Sequence, residues 1–283
     1  MKNYLKTVVL LAGLGGLCLA VGSFWGTTGL MIGMAIALVM IGGSYWFSDK
    51  LAIAAARAKE VTEADAPQYY ATMQDLTTRA GIPMPRLYIA NNPQPNAFAT
   101  GRSPNHAAVC INSGLMDYLT WEEIRGVLAH EISHVRNRDI LISSVAAAVA
   151  MGITFLARIA IWGAIFTGNG RDRDGGGIGA LLMIILAPIA AALIQMAISR
   201  SREYEADASA ARLLNDGESL ARALEKLELG TERIPVEVNP AQAQAYIANP
   251  LRPGRSLAKA FSTHPPMADR IARLRSGEWA SAF

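Results

Sequence analysis

Hydrophobic residues are spread unevenly along this chain. Four apolar runs, at about residues 5–25, 30–47, 141–166 and 178–198, alternate with polar blocks at 51–138 and 200–283. A bilayer core about 30 Å thick takes roughly 20 residues of helix, so each run approaches the length of a membrane span. A cleaved leader would account for Lys2, Lys6 and the first run. The second run follows almost at once, however, across "GTTG" and with no small-residue cleavage site, so a retained helical hairpin is expected. The third and fourth runs enclose the Gly-rich "TGNGRDRDGGGIG", which reads as a flexible connection between two further spans. Arg158 interrupts the third run, but it lies about 28 Å along a helix from Asp139 and can snorkel at the far interface beside Trp162. A buried helical hairpin in a soluble protein is the competing reading of these two runs.

The polar blocks carry a different periodicity. "TEADAPQYYATMQDLTTRAGI" predicts a helix with Thr62 as N-cap, acids in its first turn and Gly81 as its stop. "PRLYIANNPQPNAFATG" and "HAAVCINSGLMDYL" alternate strand-like runs with Pro, Asn and Gly turns, predicting a small β-sheet or meander. "TWEEIRGVLAHEISHVRNRD" opens a helix on a capping box, Thr120 with Glu123. The expected fold is a mainly α integral membrane protein with about four transmembrane helices and an α+β catalytic domain containing a small β-sheet. Its divisions are an N-terminal hairpin (1–50), the first part of the catalytic domain (51–140), a second hairpin (141–199) and the second part (200–283).

Composition supports this class, since 52% of the 283 residues are hydrophobic and only 17% charged. The net charge of +3 and the absence of a Lys/Arg run argue against a nucleic-acid partner. Lys2, Lys6, Lys50, Arg57, Lys59, Arg136, Arg138, Arg200 and Arg202 flank the runs on one side, while the first hairpin's tip has no cation. That side, with both termini and the polar blocks, is expected to be cytoplasmic. At the second tip Arg171 and Arg173 are balanced by Asp172 and Asp174. Two cysteines, Cys18 and Cys110, make neither a disulfide framework nor a Cys-based metal site.

The chemistry concentrates in "HEISH". On a helix, His130 and His134 stand one turn apart on one face, where both imidazoles can reach one ion at about 2.0–2.1 Å. Glu131 is offset enough to miss the metal and reach a water bound to it. Catalytic zinc takes a third protein ligand and leaves a fourth position open. His106, His264 or a carboxylate on a nearby helix could supply that ligand. "SREYEAD" is the best source, because it begins where the fourth apolar run ends, as the first motif ends where the third begins. Glu203 and Asp207 share a helix face, so one can bind metal while the other orients a ligand histidine. Glu205 falls on another face and should meet solvent.

"HEISH", the following "NRD", "SREYEAD", "NAFATG" and "THPP", taken with the four apolar runs, resemble the HtpX family of bacterial membrane zinc metalloproteases, gluzincins related to the CAAX prenyl endopeptidases. The resemblance runs in order along nearly the whole chain. It implies a zincin-like catalytic domain with one Zn2+ per chain held by His130, His134 and Glu203, with Glu131 as catalytic base and Asp207 supporting a ligand. It also places the "NAFATG" segment, with Asn96 and Phe98, beside the active site, where an edge strand could pair with an extended substrate; a plain turn and strand would account for that segment equally. His264 could donate to the oxyanion, hold a ligand or cap the last helix, "MADRIARLRSG". His106, in "RSPNH", is expected in solvent.

The chemistry implied is peptide hydrolysis in which zinc acidifies its water, Glu131 takes the proton and then delivers it to the leaving amine. By resemblance the role is quality control, within a stress response, of misfolded or damaged membrane proteins in a bacterial inner membrane. The partners would be membrane-protein or unfolded polypeptide substrates and the lipid bilayer. A zinc-stabilised membrane scaffold is the non-enzymatic alternative, but a structural site wants four closed protein ligands and has no need of Glu131. A CAAX-type prenyl-peptide protease is the enzymatic alternative, and four spans are few to enclose its chamber.

Overall fold

The computed structural model describes residues 2–23, 26–145, 200–233, 247 and 265–280. Most of the third apolar run, the fourth, their connecting tip, Arg158 and His264 lie outside the described residues.

The first two runs form helices α1 (Lys2–Ser23) and α2 (Gly26–Ala55), which pack along one another. Within α2, the 18 residues Gly26–Gly43 have a mean hydropathy of 1.7, long and apolar enough to cross a bilayer by length and composition. Among the described residues this is the one such stretch. Its side chains are turned outward, with Met31, Leu38 and Val39 each at least 65% exposed. A face of that kind needs an apolar surrounding.

Beyond α2 the chain builds a four-stranded mixed sheet from β1 (Lys59–Glu60), β2 (Arg86–Ala90), β3 (Ala97–Gly101) and β4 (Ala107–Asn112) in the order β1-β2-β4-β3. β2 and β4 are parallel and both other pairings antiparallel, so the sheet is not a meander. The small-residue turns allow β4 to slot between β2 and β3, leaving β3 at an edge. Every residue of β4 is buried, because both sheet faces are covered. Leu87, Ala97, Val109 and Ile111 join the main helical core, while Tyr88, Ala90, Phe98, Ala108 and Cys110 pack with Ile53, Ala56 and Ala58 at and just beyond the end of α2. Strict alternation thus ties the end of α2 to one face of the sheet and the main helical core to the other.

Helix α3 (Pro67–Ala80) stops at Gly81, whose φ of 65° supplies the left-handed cap. It starts later than the sequence predicted. Thr62 closes a turn onto Asp65 through its backbone N–H at 2.9 Å and its hydroxyl at 2.7 Å, and Pro67 then opens the helix. The acids therefore sit in the turn and not in the helix. After the short α4 (Ser113–Tyr118) comes α5 (Trp121–Arg136). The predicted capping box is present, with Thr120 N–H donating to Glu123 Oε2 at 2.8 Å and Glu123 N–H to Thr120 Oγ1 at 3.4 Å.

Helices α6 (Arg200–Leu214) and α7 (Glu218–Arg233) pack against α5, and α8 (Met267–Ser276) lies across both of them. Small residues set these approaches. Ala206, Ala210 and Ala211 are fully buried on α6, and a Cβ at Gly126 of α5 would come 2.7 Å from the Leu220 backbone nitrogen on α7. α5 consequently has neighbours on nearly every side, and eleven of its residues are buried.

Candidate metal centre

The helical spacing of "HEISH" does what was expected of it: His130 and His134 point one way from α5, with their Nε2 atoms 3.1 Å apart. Glu203 of α6 faces both, its Oε1 at 3.5 Å from His134 Nε2 and its Oε2 at 3.8 Å from His130 Nε2. One donor atom from each of the three lies within 4.8 Å of the others. Donors bound about 2.0–2.1 Å from one tetrahedral ion stand about 3.3 Å from each other, so the spacing suits a single divalent cation.

The far sides of the imidazoles strengthen that fit. His134 Nδ1 lies 3.2 Å from Asp139 Oδ2, and His130 Nδ1 lies 2.9 Å from Asp207 Oδ1, the latter a close but poorly aligned contact. A carboxylate at each Nδ1 favours the tautomer protonated there and turns a lone pair of each Nε2 inward. Two inward lone pairs 3.1 Å apart, with a carboxylate beside them, repel unless a cation or proton lies between. Burial alone would push the His134 imidazole down, but its bond to Asp139 and the charges of Glu203 and Glu131 hold it up to about 9. The cavity is thus electronegative before any metal enters.

Asp139 is delivered by "NRD" through a defined turn. Asp139 N–H donates to His134 O at 2.9 Å and Arg138 N–H to Val135 O at 3.2 Å, with Arg138 at φ 58°. This is a Schellman closure with an arginine in the left-handed position usually taken by glycine. Local backbone strain is accepted where it returns a carboxylate to a ligand histidine. Sequence reasoning noted "NRD" but assigned Asp139 no role; its short distance beyond His134 was the available signal.

The second residue it missed is Arg270 on α8. This side chain is fully buried and bonds both Asp207 oxygens, Nε to Oδ2 at 2.8 Å and Nη2 to Oδ1 at 2.7 Å, while Nη1 lies 3.7 Å from Glu203 Oε2. Burial by itself would raise the Asp207 carboxyl, yet the Arg270 charge and bonds pull it down to about 2. Arg270 therefore keeps Asp207 ionised and aimed at His130. An arginine in an amphipathic helix 63 residues downstream of its carboxylate offered no local signal.

Glu131 points at the same cavity from α5 without being placed among the three donors. Its Oε2 accepts from the Ala99 N–H of β3 at 2.8 Å. Burial raises its carboxyl above the ordinary value and the Glu203 charge adds to this, against the pull of both histidines. A carboxylate raised in this way is a stronger base than a free glutamate. β3 is an edge strand, and two of its outward N–H groups are engaged by helical side chains: Ala99 donates to Glu131 at this centre, and Gly101 to Ser144 Oγ at 3.1 Å.

Other predicted residues are placed elsewhere. Asn96 is buried and accepts from Ile247 N–H at 3.0 Å through its Oδ1, bracing the entry to β3. The Phe98 side chain packs on the opposite sheet face, toward α2. His106 is exposed, with its Nδ1 3.0 Å from Ser103 Oγ, and is remote from the cluster. Glu205 is exposed and pairs with Arg212 at 3.1 Å.

The model of peptidase family M48 matches residues 63–278, which include every element of this centre. The chain belongs to peptidase family M48. It is similar to relatives described as protease HtpX homologs, 53% identical in Syntrophobacter fumaroxidans over 98% of this chain and 100% of that protein. A second, in Persephonella marina, is 52% identical over 95% of this chain and 96% of that protein. Among solved structures, S. mikatae Ste24p is similar in fold, with a TM-score of 0.51 and 21% identity over 96% of this chain and 65% of that one. This M48 chain is a metalloprotease, and His130, His134 and Glu203 are the residues that can hold its divalent metal.

Proposed function

We propose that the chain is a membrane-embedded zinc endopeptidase that cleaves misfolded or damaged membrane proteins at the cytoplasmic face of a bacterial inner membrane. The observation that carries the catalytic part is the division of labour around His130. Two histidines and one carboxylate converge in a spacing that could hold a metal, and a further buried carboxylate, Glu131, stands on the same helix turn. Three nitrogen and oxygen donors among the described residues suit zinc with an open position, whereas a scaffold site would be closed by a fourth. Bound there, zinc would polarise the scissile carbonyl and make water acidic enough to attack near neutral pH.

The chain's own residues supply the rest. Glu131 takes the proton from the attacking water and gives it to the leaving amine, and the upward shift of its carboxyl makes it a stronger base than a free glutamate. Asp139 and Asp207 fix the two imidazoles, and Arg270 fixes Asp207. The position of β3 at the sheet edge beside Glu131 supports a substrate laid out as an extended strand, whose backbone would compete with Glu131 and Ser144 for the Ala99 and Gly101 N–H groups. The apolar stretch of α2 and its attachment to the same sheet support a site held at the membrane surface.

The test is cleavage of an unfolded substrate by the detergent-purified protein, with and without chelator, beside Glu131→Gln. Chelation should abolish cleavage, and Glu131→Gln should abolish it while the protein retains zinc. Cleavage that survives both treatments refutes the mechanism.

A further inference from the structure

On the far side of the sheet from the metal, where α2 leaves its apolar stretch, lies an open cavity of about 430 Å³ lined by Trp46, Phe47, Lys50, Arg86, Arg102 and His106 among others. Nothing in the proteolytic mechanism uses it. Its charge is one-sided. Asp49, its carboxylate, is nearly buried and already paired with Arg86 at 2.5 Å. Lys50 and Arg102 have no carboxylate partner among the described residues; Lys50 lies 5.4 Å from the Phe47 ring centroid and Arg102 stacks at 4.6 Å on Trp46. Stacking on an aromatic face leaves the guanidinium N–H fork open at its edge.

The depth of the cavity narrows the choice of ligand. The apolar window of α2 ends at Gly43. At 1.5 Å per residue, Trp46 lies about 5 Å and Lys50 about 10 Å further along the helix. The headgroup layer on each side of a bilayer core is about 5–8 Å thick, so this cavity opens at that layer. Trp46 and Phe47 are 55% and 52% exposed there, as interfacial aromatics are, and the outward apolar face of α2 continues beneath them.

The geometry points to a site for an anionic phospholipid of the adjoining leaflet, its phosphate between Lys50 and Arg102 and its chains along α2. An acidic peptide would satisfy the cations but has no use for the apolar face below. The site also touches the protease. Arg102 directly follows β3, whose Ala99 and Gly101 contact Glu131 and Ser144, so an occupied headgroup site would hold the end of the strand next to the metal centre. The inference rests on the membrane part of the proposed function and is independent of the hydrolytic part.

The experiment titrates the protein in detergent with dihexanoyl phosphatidylglycerol, dihexanoyl phosphatidylcholine, inorganic phosphate or hexaglutamate, following heat by calorimetry. Phosphatidylglycerol should bind more tightly than any of the other three probes. Lys50→Gln and Arg102→Gln should each weaken it about fivefold, from the roughly 1 kcal/mol that one cation contributes at an anionic surface. Lys59→Gln, an exposed cation outside the cavity, should leave the affinity unchanged. Equal binding of phosphatidylcholine, or indifference to both substitutions, overturns the site. Inorganic phosphate binding as tightly as phosphatidylglycerol makes it a free-anion site, and tighter binding of hexaglutamate makes it a peptide site; either result overturns the lipid. A chain that stays soluble without detergent and fails to float with vesicles would instead sink the membrane reading itself.

Discussion

Replacing Arg270 with Met removes the guanidinium but keeps most of the side chain's volume, leaving Asp207 and Glu203 as buried acids with no counter-charge from α8. Two routes give the size of the effect. The Asp207 carboxyl stands at about 2 against an ordinary 3.8 even though burial pushes it the other way, so its charged partners, Arg270 foremost, together supply at least about 2.5 kcal/mol at 1.36 kcal/mol per unit. Deleting one member of a buried ion pair costs about 3–5 kcal/mol by general experience. The two agree on about 3 kcal/mol, or roughly 6–12 °C in melting temperature for a domain of this size. Loosened Asp207 should also weaken zinc binding about 10- to 100-fold, as for other residues that support a ligand histidine. The assay is tryptophan-fluorescence melting of chelator-treated protein in detergent, followed by zinc titration with a competing dye. Asp207→Asn combined with Arg270→Met should recover most of the stability, because the stranded charge is gone, without recovering the zinc affinity. A single variant that melts within about 2 °C of the parent and binds zinc equally tightly would refute the reasoning.

Glu203→Ala should bind zinc too weakly to survive dialysis, read by metal analysis of folded protein; full occupancy would move the third ligand elsewhere. In the metal-free protein His134 titrates near 9 against 6.5 for the free side chain. Its contribution to stability is therefore complete below about 6.5 and lost as pH rises through about 9. Zinc must displace this proton, so zinc affinity should climb with pH over the same window; a flat chelated melting profile together with pH-independent affinity would contradict it. Gly126→Ala drives a methyl group against the Leu220 backbone and should cost about 1–3 kcal/mol in the same melting assay. An unchanged midpoint would mean that α5 and α7 stand further apart than described.

Much of the site was readable along the chain because its geometry is local. The i, i+4 spacing of His130 and His134 fixes their common face in any helix, and the Thr120–Glu123 box shows independently that a helix starts there. The same period pairs Glu203 with Asp207. The Thr62 cap was misplaced because Asp65 and Pro67 offer a competing turn, which a helix-start pattern alone does not reveal. The meander failed as an alternative because sequence neighbours are the natural guess for strand partners, whereas β4 pairs with β2 in parallel and pushes β3 to the edge.

Residue types and period by themselves determined the helices, the apolar runs, the paired histidines and the kind of chemistry they perform. The tertiary structure decided which of Glu203 and Asp207 faces the imidazole Nε2 atoms, that Asp139 turns back to His134, that β3 lies against Glu131, and that Arg270 closes the set from the last described helix. The reason is physical: helical and strand periods act over a few residues, whereas a buried arginine finds its carboxylate, and an edge strand the buried Glu131, only after packing has removed the water that would otherwise solvate each of them.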